Sequence, residues 1–151
     1  MISLTRLPRV LLLLPMLCSS LMTAESWDQW RGPNRDGRIS GAKWPAGLDE
    51  ARLKKRWQLP LGPSYSGPVM NAERVFITET VDKKREQVTA LRRSDGSVVW
   101  KRDWEGAMSV PFFARSNGDW IRATPALDGD TLYVAGMRDV LVALNSTDGS
   151  E

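Results

Sequence analysis

From about residue 67 onward, apolar positions fall in short runs separated by turn-forming residues, and the whole pattern occurs twice. Gly67-Pro68-Val69-Met70-Asn71-Ala72-Glu73-Arg74-Val75-Phe76-Ile77 aligns with Thr124-Pro125-Ala126-Leu127-Asp128-Gly129-Asp130-Thr131-Leu132-Tyr133-Val134. Further on, Val88-Thr89-Ala90-Leu91 followed by Ser94-Asp95-Gly96-Ser97 aligns with Leu141-Val142-Ala143-Leu144 followed by Thr147-Asp148-Gly149-Ser150. The first match is offset by 57 positions (124 minus 67) and the second by 53 (141 minus 88), so the first copy carries four extra residues in its hairpin. A repeat that slips only at a turn is a structural unit.

Each copy reads as short strands, with a polar turn between a Pro-led apolar run and a β-branched or aromatic run. Asp128-Gly129-Asp130 is the clearer turn, because glycine accepts the positive φ that hairpin turns require. Thr131-Leu132-Tyr133-Val134 has the bias of a buried strand, and Val140-Leu141-Val142-Ala143-Leu144 repeats it after Gly136-Met137-Arg138-Asp139. The order predicts a meander. After the leader, no amphipathic helical period is long enough to cover a parallel sheet.

The second half of the unit is more specific. Ala90-Leu91-Arg92-Arg93-Ser94-Asp95-Gly96-Ser97-Val98-Val99-Trp100 opens on a small residue, turns at Gly96 and closes on Trp100; Ala143-Leu144-Asn145-Ser146-Thr147-Asp148-Gly149-Ser150-Glu151 begins it again. This resembles the tryptophan-docking motif of pyrroloquinoline-quinone-like β-propeller repeats. Asn145 fits the third position of that motif and Arg92 does not, while Asp95 and Asp148 stand where threonine is usual. The physical reading agrees: Ala90 and Ala143 permit close approach of blades, Gly96 and Gly149 make the turn, and Trp100 fills the gap between sheets. Trp27-Asp28-Gln29-Trp30-Arg31-Gly32-Pro33-Asn34-Arg35-Asp36-Gly37 also looks like the opening segment of secreted bacterial members of this family. The resemblance implies an all-β fold of four-stranded antiparallel blades.

A propeller closes with roughly four to eight blades of about 40 to 50 residues each. Removing a leader of 24 residues leaves 127 (151 minus 24), so about two blades of an incomplete ring are expected, as in an N-terminal fragment or a truncated product. The expected organisation is a leader over 1–24, a lead-in and ring-closing segment over 25–57, and repeats over 58–151. Arg6 and Arg9, the apolar stretch Val10 to Leu17 and Met22-Thr23-Ala24 form the three parts of a secretory signal, which places the mature protein in the periplasm or outside the cell. The apolar core is too short to span a bilayer. Lipidation at Cys18 is the competing reading; Leu17 precedes it, where lipoprotein sites carry a small residue.

Cys18 is the only cysteine and there is no histidine. A disulfide framework and a thiolate or histidine metal site are therefore excluded from the mature segment, as is catalysis through a histidine base. Without Arg6 and Arg9 the charge is 19 basic against 18 acidic residues, a net of +1, which gives no argument for nucleic acid. The basic clusters Arg52-Leu53-Lys54-Lys55-Arg56, Lys83-Lys84-Arg85 and Arg92-Arg93 read as solvated tips and strand flanks. Of the seven tryptophans, Trp27 and Trp30 are read as capping the last blade or stacking on a sugar, and Trp44 and Trp57 as anchoring a short ring-closing strand.

Candidate chemistry concentrates between the copies. Glu105 to Asp119 forms a connection of the kind that emerges on a disc face, and Phe112, Phe113, Arg115, Asn117, Asp119 and Trp120 form a possible ligand-facing loop. The competing reading is that Phe112 and Phe113 pack this loop onto the disc. No catalytic, cofactor-binding or metal-ligating residue is assigned. Three function classes follow from the resemblance: a non-catalytic envelope scaffold binding other envelope proteins or a small ligand; a quinoprotein dehydrogenase using pyrroloquinoline quinone and calcium, with catalytic residues in further blades; and a carbohydrate-binding envelope protein. The scaffold is the expected class.

Overall fold

The two copies form two antiparallel meanders in the computed structural model, which describes residues 26–39 and 45–151. The expected leader, with Cys18, and Trp44 lie outside the described residues. The first sheet runs β1 (Val69–Met70), β2 (Arg74–Val81), β3 (Arg85–Arg92) and β4 (Val98–Glu105), in that spatial order. The second runs β5 (Ala126–Asp128), β6 (Thr131–Ala135) and β7 (Leu141–Asn145). A 3-10 turn, Phe112–Asn117, lies between them. The fold is all-β, an incomplete propeller of one four-stranded and one three-stranded blade.

Alternation of side chains decides what packs where. The pairs Val69↔Phe76, Phe76↔Ala90 and Ala90↔Trp100 put these four residues on one face of the first sheet. They meet Leu132, Val134 and Leu144 of the second sheet, together with Val88 and Ile121, in one buried core between the blades. Burying each large member contributes about 1.5–3 kcal/mol, which is why two short sheets pack as one body.

The four extra residues of the first copy lie where the repeat slips. Ile77 and Val88 correspond to Val134 and Leu141, so the intervening loop is longer in the first hairpin, and β2 and β3 run eight residues each against five for β6 and β7. Asp82 and Lys83 both take positive φ at its tip, the sign that suits the right-handed strand twist. Arg85 is already the first residue of β3 and pairs with Asp103 across the sheet.

The N-terminal segment is built into the inner end of both blades. Trp27 exchanges two backbone hydrogen bonds with Met70 of β1, each 2.8 Å, and the Asp28 carbonyl accepts from the Leu127 N–H of β5 at 2.7 Å. It therefore bridges the innermost strands of neighbouring blades. Among the described residues, none of the backbone hydrogen bonds involves residues 54–61, the segment read as closing the ring against a C-terminal blade.

Candidate functional site

Of the residues singled out for blade docking, Trp100 lies in the buried core shared by the two sheets. It leaves β4 and lies on the turn after β7, donating its indole N–H to the Ser146 carbonyl at 3.1 Å. Its ring covers Gly149, where a Cβ would come within 2.7 Å of the indole, and Gly149 has φ +72. Arg102 adds a second strut, donating to the Gly149 carbonyl at 2.7 Å. Ala90 is fully buried beneath the contact, whereas Ala143 is exposed on the opposite face of its own sheet.

Trp57 repeats this geometry one blade earlier. Its indole N–H donates to the Arg93 carbonyl at 3.0 Å and its ring covers Gly96, with a Cβ there falling 2.7 Å away. Arg93 and Gly96 correspond to Ser146 and Gly149 at the offset of 53, so Trp57 occupies on the first blade the place that Trp100 occupies on the second. The sequence placed Trp57 in the lead-in but gave no sign of this equivalence, because the residues around it do not repeat those around Trp100.

Both glycine turns are held by their aspartates. Ser97 donates its hydroxyl and its backbone N–H to Asp95 at 2.7 and 2.9 Å, and Ser150 does the same to Asp148 at 2.7 and 2.8 Å. These donors hold both carboxyls below the ordinary value of 3.8: the Ser97 hydroxyl leads at Asp95, and the Ser150 backbone N–H at Asp148.

At the end of the blades away from these turns, the extended hairpin, the loop after β4 and the β6–β7 turn converge. Glu86 is fully buried there. Its carboxylate accepts from the Trp104 indole N–H at 2.9 Å and from the Met137 backbone N–H of the second blade at 2.9 Å. A side chain at Gly106 or Gly136 would collide with that carboxylate. Sequence reasoning passed over Glu86, although its alternation with Val88 and Ala90 set it on the inward face. A cleft of about 700 Å³ opens above, lined by Lys83, Lys84, Arg85, Glu105, Met108 and Arg138 among others; Arg138 pairs with Glu105 at 3.5 Å. Beside it, Lys83, Val110, Arg115 and Asp119 line a second cleft of about 380 Å³.

The loop residues separate into anchors and displayed groups. Trp120 is half-buried and stacks on Tyr65, with ring centroids 5.1 Å apart, and Arg122 lies over the other ring at 5.8 Å from the Tyr65 centroid while donating to the Gly118 carbonyl at 3.0 Å. Ile121 ties the loop to the first blade, its N–H donating to Thr80 Oγ1 and its carbonyl accepting from Tyr65 N–H, both at 2.9 Å. Phe112 and Phe113 do not pack the loop onto the disc. They stand 80% and 76% exposed, in an edge-to-face pair with centroids 5.6 Å apart. Proline at 111 and the 3-10 turn push them outward, and Arg115 on the same turn is exposed. Asn117 is the last residue of that turn.

Calcium-bound quinone chemistry needs several convergent oxygen donors. Asp95 and Asp148 are engaged within their own turns, and among the described residues no three Asp, Glu, His or Cys side chains converge. The described residues therefore do not fit such a site. Among them no helix is long and apolar enough to cross a membrane. Against known families, residues 84–151, from the first hairpin tip through β7, match the family model described as outer membrane protein assembly factor BamB. The comparison with curated proteins finds no match.

Proposed function

We propose that this chain, whose residues 84–151 belong to the pyrroloquinoline-quinone-like repeat family, is a non-catalytic binding scaffold of the cell envelope that presents its 105–122 loop to a protein partner. One observation carries the reading: Phe112 and Phe113 are displayed to solvent on a loop held from behind by the Tyr65–Trp120 stack. Exposed aromatic side chains are enriched at interface centres, and Arg115 stands exposed on the same turn as this pair. The carboxylates of the turns and of the blade junction serve the scaffold itself, as the bonds of Asp95, Asp148 and Glu86 indicate. The description of the matched family supports an envelope location, and the expected leader over 1–24 agrees with it.

Replacing both phenylalanines by serine removes two exposed rings from a loop whose anchors are Trp120 and Ile121. The double variant should keep the melting temperature of the parent, since exposed substitutions away from buried groups shift stability by about 0.5 kcal/mol or less. A photo-crosslinker placed at Phe112 should form one discrete adduct in the envelope of the native host, and Phe113→Ser in that background should abolish it. Adduct formation unaffected by Phe113→Ser, or none from a folded protein, rules out the loop as the binding surface.

A further inference from the structure

The hairpin tip of the first blade carries side chains that its backbone does not favour. The Lys84 N–H donates to the Val81 carbonyl at 3.1 Å, closing a tight turn whose two central residues, Asp82 and Lys83, have φ of 52 and 56. Glycine or asparagine takes that conformation with least strain, and a lysine there is held against it. The stretch between Ile77 and Val88 is also four residues longer than its counterpart between Val134 and Leu141, so the second blade closes its hairpin without such a tip. What the tip adds is a row of three exposed charged side chains, Asp82, Lys83 and Lys84.

This row lines the cleft of about 700 Å³ above the blade junction. The loop after β4 is fixed to the tip, the Ala107 N–H donating to the Lys84 carbonyl at 3.2 Å, and the β6–β7 turn contributes Arg138 to the lining. The lining holds four cations, Lys83, Lys84, Arg85 and Arg138, against two carboxylates, Asp82 and Glu105. Arg138 is paired with Glu105 and Arg85 with Asp103, whereas among the described residues neither Lys83 nor Lys84 is in an ion pair. Ala107 and the exposed Met108 add apolar surface beside them. The lining residues come from these two blades and the loop that joins them, at the strand ends and away from the flanks through which a blade meets its neighbours.

We propose that this cleft takes an acidic segment of a protein partner, two of its carboxylates pairing with Lys83 and Lys84 while an apolar side chain rests on Met108. The excess of two positive charges (four minus two) is the complement of such a segment. A membrane surface or a nucleic acid calls for a broad basic face. Here the cations are interspersed with carboxylates, and residues 25–151 carry a net charge of only +1 (19 minus 18). The volume is within the range of roughly 300–1,000 Å³ that ligand sites occupy. Ala107 and Met108 belong to the 105–122 loop, so the inference rests on that loop being the binding surface and adds the chemistry of what it binds.

The probe is a short fluorescent peptide of alternating glutamate and leucine, its binding to the full chain followed by anisotropy. Wild-type protein should saturate at one peptide per chain, with affinity falling as salt rises. The double variant Lys83→Glu, Lys84→Glu should bind about tenfold more weakly or worse, while Lys54→Glu, Lys55→Glu, the same change of charge on another exposed cluster, should stay within about twofold of wild type. Should the hairpin variant fail to fold, amide shifts of the wild type on adding peptide decide: they should concentrate at 82–85, 105–109 and 138. No saturable binding by folded wild type, equal loss in both variants, shifts elsewhere, or binding only to vesicles of anionic phospholipid overturns the proposal. The crosslinker at Phe112 separates it from the loop reading. An adduct undiminished by Lys83→Glu, Lys84→Glu keeps the loop and removes the cleft, whereas peptide binding at the cleft with no adduct keeps the acidic-segment site and removes the aromatic pair.

Discussion

At the residue scale, the two glycines under the indoles carry the tightest constraint. Gly96 and Gly149 have φ of +74 and +72, and each has an aromatic ring where a Cβ would be. Gly149→Ala therefore combines left-handed backbone strain of about 1–3 kcal/mol with displacement of the Trp100 ring. Trp100→Ala leaves a void between blades and should cost about 3–5 kcal/mol, read as a lower urea midpoint. The adjoining aspartates set an acid limit. Asp95 and Asp148 are both held below 3.8 by serine donors, so their contribution is fully present above that value and is lost as pH falls through the lower folded value. Urea midpoints measured downward from pH 5 should fall in that acid window, and the fall should be smaller in the double variant Asp95→Asn, Asp148→Asn. The turn and its tryptophan were legible in the sequence because glycine and indole recur with the repeat. The serine donors were passed over, since aspartate in place of threonine looked like a departure from the motif when it is a working substitute.

At the scale of elements, the four-residue slip is a structural device. It lengthens β2 and β3 until Glu86 reaches past the shorter β6–β7 hairpin and takes the Met137 N–H. Removing a partner from a buried acceptor costs about 1–3 kcal/mol. Glu86→Gln keeps the shape but turns an amide N–H toward donors, so the variant should melt several degrees lower, whereas Arg138→Gln, which breaks only an exposed pair with Glu105, should melt within about a degree of wild type. Comparing the two melting curves checks the assignment. The hairpin and its extra residues could be read from two offsets in one sequence. The role of Glu86 could not, because its partner lies 51 residues away on another blade and no local pattern records that distance. The loop's position between the blades was legible in the sequence but its internal division was not: Tyr65, which anchors Trp120, stands 55 positions before it in a stretch with no repeat of its own (120 minus 65).

At the scale of the molecule, blade pairing was readable because strand alternation and a repeated motif act together, and one buried core follows from both. The lead-in was read only in part. Its tryptophans marked it as docked, yet its position across the inner strands of both blades depends on backbone bonds from Trp27 and Asp28, which sequence does not encode locally. The account rests on the two blades being one unit joined through Trp100. The most direct measurement is hydrogen exchange of the Trp100 indole N–H by NMR, compared with the backbone amides of Phe76 and Leu132 on either side of the junction. The account predicts that the indole proton exchanges as slowly as those two amides and at a rate set by the same unfolding event. An indole proton exchanging freely while both amides stay protected would show two sheets that fold without this joint, and would contradict it.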